Sequence, residues 1–275
     1  MSSSTSVKIH EKIDLDKIAG SGQCFRWCKT DNGYRIPFKE TDLVVSQSDP
    51  YTLVFVCKDH ELETIWKDYF DLQTNYEEIC SRISKEADPF LHEAIKNQKG
   101  IRILKQDPWE MLITSIITQN RNIPAIQKSV ELLSEKAGTK CQSITGSSFF
   151  AFPTPSQLAN MSDRCLSDCK LGYRMAYVRD AARVVASGEL SLEQLELLSD
   201  EECDKRLLSL KGVGEKVAAC ILLFGFHRLN AFPMDVWMKR ILDNEYPNGY
   251  PKAKYSPFNG LYQQYMFAYY RELYA

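Results

Sequence analysis

The 275-residue chain lacks any apolar run long enough for a bilayer: its longest, residues 217–226, falls far short of the roughly 18 residues a spanning helix needs. It also lacks an excess of charge, with 34 Lys and Arg against 36 Asp and Glu and a formal net charge of −2. Strong basicity would point to a polyanionic partner. Its absence excludes nothing, because a local basic face on a neutral chain does the same work. The opening MSSSTSVKIHEK has no apolar core of the kind a secretory signal carries, so the sequence predicts a polar, mobile tail there. Histidines are few, four in all, and scattered, which suggests no catalytic metal centre. The nine cysteines show no repeated short spacing, which fits a reducing cytosol better than a disulfide framework. Cys165 and Cys169 lie one helical turn apart, but no second pair or nearby histidine completes a metal site, so they read as two buried or half-buried thiols.

What is present is an ordinary globular composition, 44% hydrophobic and 25% charged, enough for two or three packed subdomains. From Cys24 to Cys57 four short segments rich in β-branched and aromatic residues (CFRWCKT, GYRIPFKE, DLVVSQ, YTLVFVC) predict an antiparallel meander. Asn32-Gly33 predicts a two-residue hairpin, and Pro37 puts its strand at an edge or a bulge. After Asp59 the pattern turns helical and stays so to the end. In QDPWEMLITSIITQN, Asp107 is the expected N-cap, with Pro108 at N1 and Glu110 at N3. Leu112, Ser115, Ile116 and Gln119 then share one face. A capping box, Ser199 answered by Glu202, opens SDEECDKRLLSL. The fold class is therefore α+β: an N-terminal antiparallel sheet domain with flanking helices over residues 1–88, then a helical region over 89–275. No fixed-period repeat is seen.

The segment LKGVGEKVAACILLFGF joins two helices through Gly212, Val213 and Gly214, a helix-hairpin-helix over about residues 199–226. The glycines allow a left-handed backbone and leave amides bare at the start of the second helix, an anion site for which a phosphodiester is an apt ligand. Read alone, the same corner also serves as a tight turn with no ligand. Lys216, however, stands on the first turn of that helix, where the positive end of the dipole works against a cation. Asp235 follows in NAFPMDVWMKR, either as the N-cap of the next helix or as a catalytic carboxylate, and one residue can be both. A partly desolvated lysine facing a carboxylate suits attack on an electrophilic sugar carbon.

Together, LKGVGEKVAAC and AFPMDVWMKR resemble the helix-hairpin-helix and aspartate signature of base-excision DNA glycosylases, and a lysine at 216 resembles the bifunctional members. SGQCFRW, QDPWEMLITSIITQNRNI, KLGYRMAYV and YQQYMFAYYREL resemble the 8-oxoguanine DNA glycosylase family of the type best known from eukaryotes, over essentially the whole chain. The resemblance implies a TBP-like N-terminal sheet domain plus two mostly helical domains, with duplex DNA in the cleft between them. A monomer in the nucleoid-associated cytoplasm or the nucleus is the expectation. It implies no cofactor and leaves open a structural monovalent cation on the hairpin carbonyls. Endonuclease III-like enzymes, which also have the Lys and Asp, carry a four-cysteine iron–sulfur cluster after the hairpin, whereas nothing after Cys220 is a cysteine.

The resemblance assigns roles. Lys216 matches the nucleophile that attacks C1′, expels the base and forms a Schiff base from which β-elimination nicks the strand; Asp235 matches its partner. Gly22 matches the residue whose backbone carbonyl senses the extra N7–H of oxidised guanine. Cys220 and Phe267 match the residues that sandwich the extruded base, Gln263 the amide that reads its Watson–Crick edge, and Pro233 the adjoining loop. Asn120 and Tyr173 match the fillers of the gap in the duplex, and Arg174 a contact to the orphaned cytosine. Departures from the family are also legible. Its second cytosine-contacting arginine falls at Ala125, so a relaxed preference for the opposite base is expected. Trp237 stands where a phosphate-contacting histidine is usual, and Tyr270 replaces that histidine's acidic neighbour. Two other readings share these residues: a related glycosylase for alkylated or ring-opened purines, and a non-catalytic DNA-binding protein.

Overall fold

The computed structural model describes residues 2–274. Its N-terminal part is a five-stranded antiparallel sheet of order β1-β5-β4-β3-β2, built from β1 (Ser2–Lys8), β2 (Cys28–Thr30), β3 (Gly33–Phe38), β4 (Thr41–Asp49) and β5 (Thr52–Lys58). The α+β class and the meander β2 to β5 agree with the sequence pattern. Alternation along β5 buries Leu53, Phe55 and Cys57 on one face, where they meet Leu43 and Val45 of β4. Pro37 lies beyond the end of β2, where β3 has no partner on that side, so its missing N–H breaks no ladder.

Five expectations need correction, the simplest being that of the two thiols one turn apart Cys169 is buried but Cys165 is exposed, on the outer side of a short helix. The polar start is a strand: β1 pairs with β5 from Ser2↔Lys58 to Lys8↔Thr52. Its serines and threonine satisfy the otherwise open backbone edge of β5, while Thr5, Val7 and Ile9 turn inward on alternate positions. The first predicted strand shrinks to Cys28–Thr30, because Arg26 leaves the sheet to bond Glu131 Oε1 at 2.8 Å and the Phe150 carbonyl at 2.6 Å. The β2–β3 turn comprises Asp31 and Asn32, with Gly33 already paired to Thr30. Gly33 is required for clearance, since a Cβ there would lie 2.1 Å from the Val45 carbonyl. Finally, the helical run is interrupted by a two-stranded sheet, Lys140–Gln142 with Ser148–Phe150.

Helix starts follow the sequence signals. Asp107 caps Pro108–Ile117 by accepting the Glu110 N–H at 3.0 Å, and the Ser199/Glu202 box opens Asp200–Leu208 with both reciprocal bonds. Unlike a surface helix, Pro108–Ile117 is buried nearly all round, from Trp109 through Ile117 apart from Glu110. Three apolar cores result. One lies under the sheet; one holds Pro108–Ile117, Ile123–Ala137, Arg174–Ala186 and the hairpin helices; one gathers Tyr76, Ile79 and Leu91 against Val236–Glu245 and Asn259–Tyr274. Cys220, Leu223 and Phe224 of the helix Glu215–Phe224 belong to the last core, while Val217, Ala218 and Ile221 belong to the second. The helix that carries Lys216 thus forms the seam between two cores.

Candidate active site

Gly214 is the N-cap of Glu215–Phe224 and supplies no side-chain cap, so the first amides of that helix are left for an outside acceptor. Gly212 adopts φ +79°, and a Cβ there would lie 2.3 Å from the Tyr177 ring; only glycine closes the hairpin against this tyrosine. Val213 is buried in the second core and anchors the turn. The Leu210 carbonyl accepts the Val213 N–H at 3.1 Å and the Gly212 carbonyl accepts Gln119 Nε2 at 2.9 Å. No group of three or more metal-ligating side chains exists among the described residues.

Lys216 is half-buried, and its Nζ donates to Thr118 Oγ1 at 3.1 Å. Thr118 in turn donates to the Ser115 carbonyl at 2.7 Å, which turns its lone pairs toward the amine. Sequence reasoning missed Thr118 although it stands in the quoted IITQN. Cys220, one helical turn after Lys216, is buried; burial pushes its thiol up, the Lys216 ammonium works against that, and Asp235 adds to it. The amine and the carboxylate are therefore both electrostatic neighbours of one sulfur. Asp235 caps Val236–Glu245 through a 2.8 Å bond from the Met238 N–H, so one of its oxygens has a structural task. Pro233, just before it, is buried.

A segment near the start of the chain meets the last helix, Asn259–Tyr274. Gly22 has φ +81°, and a Cβ built on it would touch Phe267 Cε1 at 3.6 Å. Its neighbours are pinned on both sides. Gln264 Nε2 donates to the Ser21 carbonyl at 2.5 Å, and Gln23 bonds the Arg102 carbonyl at 2.8 Å and the Leu104 N–H at 2.9 Å. Among the described residues nothing donates to the Gly22 carbonyl itself. Gln263, one turn before Phe267 on Asn259–Tyr274, is 4% exposed, and its Oε1 has no hydrogen-bond partner. A buried acceptor left empty costs about 1–3 kcal/mol, so this oxygen is open to a donor that a ligand brings.

Asn120 sits at φ +49°, exposed, with Nδ2 3.4 Å from the Tyr173 hydroxyl; Tyr173 is 54% exposed. Arg174 is buried instead of lying on the surface. Its guanidinium stacks on Tyr173 at 4.3 Å and donates to the carbonyls of Gln119, Leu171 and Asn120. Those bonds hold the left-handed turn at Asn120. Trp237 meets Tyr270 edge-on at 6.3 Å, and Arg240 lies 5.3 Å over its ring.

Comparison with known proteins places this arrangement. The family described as 8-oxoguanine DNA glycosylase, N-terminal domain, matches residues 6–112. The chain is 30% identical to the N-glycosylase/DNA lyase OGG1 of Arabidopsis thaliana, over 90% of this chain and 70% of that protein. It spans 62% to 70% of the length of its archaeal, yeast and plant relatives. The 8-oxoguanine glycosylase/lyase of Clostridium acetobutylicum, solved with double-stranded DNA containing cytosine opposite 8-oxoG, superposes with a TM-score of 0.89 at 33% identity, covering 98% of this chain and 99% of that one. MBOgg1, solved with a low affinity DNA ligand, superposes with a TM-score of 0.92 at 36% identity, covering 98% and 96%. Sheet, hairpin lysine, aspartate and whole-chain similarity agree: this chain belongs to the 8-oxoguanine DNA glycosylase family of N-glycosylase/DNA lyases.

Proposed function

We propose that this chain excises 8-oxoguanine from duplex DNA and then cleaves the strand at the resulting abasic site. The buried, unpartnered Gln263 Oε1, one helical turn from the Phe267 that faces Gly22, carries the reading. A guanine-type Watson–Crick edge presents N–H donors, which a fixed amide oxygen accepts, and an extruded base thereby removes the cost of the empty acceptor. The free Gly22 carbonyl accepts the N7–H that oxidation adds. Phe267 and Cys220 stack on the two faces of the base, and Pro233 borders it. Asn120 and Tyr173 fill the vacated space. Arg174 reaches the orphan cytosine by exchanging its bonds to the Gln119 and Asn120 carbonyls for acceptors on the base edge. The bare amides after Gly212, Val213 and Gly214 receive a backbone phosphate.

In the chemical step Lys216 Nζ, after losing a proton, attacks C1′ while the bond from C1′ to the base breaks and the base leaves with the electron pair. Asp235 stabilises the positive charge that develops on the sugar. Opening of the C1′–O4′ bond gives the Schiff base. Loss of a proton from C2′ and departure of the 3′ phosphate complete the β-elimination. Thr118 holds the amine in line, a reading supported by the 3.1 Å bond from Lys216 Nζ. The partner is double-stranded DNA with an oxidised guanine, bound by a monomer. The sheet unit (1–88) and the helical unit (89–275) flank it; Tyr76, Ile79 and Ile83 already pack with the C-terminal helices. Work on DNA in the nucleoid-associated cytoplasm or the nucleus suits nine free thiols.

Single-turnover excision from a panel of duplexes tests the reading. We expect removal of 8-oxoguanine, a shallow dependence on the opposite base because Ala125 contributes no guanidinium, and no removal of 3-methyladenine. Faster excision of the alkylated base would identify the related alkylpurine glycosylase class instead. Binding without excision of any lesion would leave a DNA-binding protein without chemistry.

A further inference from the structure

Arg121 follows Asn120 directly and is absorbed by none of the roles above. Its Nη1 donates to Ser129 Oγ at 2.8 Å, and Ser129, fully buried, fixes it against Ile123–Ala137. Among the described residues no carboxylate lies within ion-pair distance of Arg121 or of Arg174. The two guanidiniums are nonetheless close enough to oppose each other: burial first, and Arg174 second, make the charged form of Arg121 harder to hold. Arg174 disperses its charge over three backbone carbonyls, but Arg121 has a single hydroxyl. Beside it begins the 15-residue helix Ile123–Ala137, whose positive dipole end adds to the same field. Two like charges and a helix N-terminus held together with no acid form an arrangement that an anion relieves.

We propose that Arg121 grips a DNA backbone phosphate next to the Asn120–Tyr173 wedge, supplying affinity that does not depend on the opposite base. The proposal rests on the function given above and extends it. The Ser129 bond holds the guanidinium against Ile123–Ala137, where a backbone phosphate suits it better than a base edge. With Ala125 supplying no base-reading arginine, a phosphate contact at Arg121 adds positive charge to the interface without adding selectivity.

The test is equilibrium binding of duplexes carrying a tetrahydrofuran abasic analogue opposite each of the four bases, across a potassium chloride series. Arg121→Gln should weaken binding about three- to ten-fold for all four partners alike and reduce the log–log salt slope by about 0.9, the value for one phosphate. Arg121→Lys should keep the slope, and Ser129→Ala, which keeps the charge, should keep most of it. A loss confined to one partner base would make Arg121 a base reader and overturn the proposal. An unchanged slope in a folded Arg121→Gln protein would reduce it to a packing contact. Failure of the wild-type chain to prefer the abasic analogue over intact duplex would instead undo the function on which the proposal rests.

Discussion

Thr118 stands at the end of Pro108–Ile117 with its hydroxyl hydrogen given to Ser115 and its lone pairs given to Lys216. Valine has the same shape but no lone pair, so Thr118→Val leaves the amine unguided without opening a cavity. We expect the single-turnover rate to fall about ten-fold, equivalent to about 1.4 kcal/mol, with DNA affinity unchanged and activity restored by Thr118→Ser. Equal losses in both variants would make Thr118 merely structural. The sequence exposed Lys216 and Asp235 because each violates a local expectation: a cation at a helix start and an acid within an apolar loop. Thr118 violates none, since a threonine at a helix end is commonplace, and its role exists only once a distant hairpin is packed beside it. Arg174 was legible as an arginine near the wedge but not as a buried one, because its burial depends on carbonyls that two loops bring together.

At the scale of elements, Pro108–Ile117 links the sheet to the lysine. Near its start Glu110 lies 3.8 Å from Arg26, whose other nitrogen bonds Glu131 at 2.8 Å. Burial lifts the Glu110 carboxyl from the ordinary 4.5 to about 7; Arg26 opposes the shift, and Asp107 and Glu131 reinforce it. Folded chains then hold a proton that unfolded chains release from about pH 4.5 upward, so this group makes stability fall as pH rises from 4.5 to 7. Glu110→Gln should flatten that fall and stabilise the protein by about 1–3 kcal/mol above pH 7, as read by denaturant melts at pH 5 and pH 8. A wild-type stability that rises through this window, or a Gln variant less stable at pH 8, would contradict the assignment. Capping chemistry made this helix readable from Asp107-Pro108, since caps are satisfied locally. β1 was not readable as a strand in so polar a segment, because what holds it is the unpaired edge of β5, a partner far along the chain.

For the molecule as a whole, the segment around Gly22 meets the last helix at Phe267, while the helix bearing Lys216 runs between the second and third cores. No local pattern predicts that meeting. It became legible only through motifs spread from SGQCFRW to YQQYMFAYYREL, whose joint resemblance supplied the tertiary arrangement. The proposed function requires that Lys216, within this assembly, form a covalent bond to the sugar of an 8-oxoguanine nucleotide. Borohydride added during incubation with a duplex containing one 8-oxoguanine opposite cytosine reduces such a Schiff base to a stable protein–DNA adduct. The wild-type chain should form the adduct and Lys216→Gln should form none while still binding the duplex. An adduct that persists in Lys216→Gln, or a wild-type protein that binds the lesion and never forms one, would contradict it.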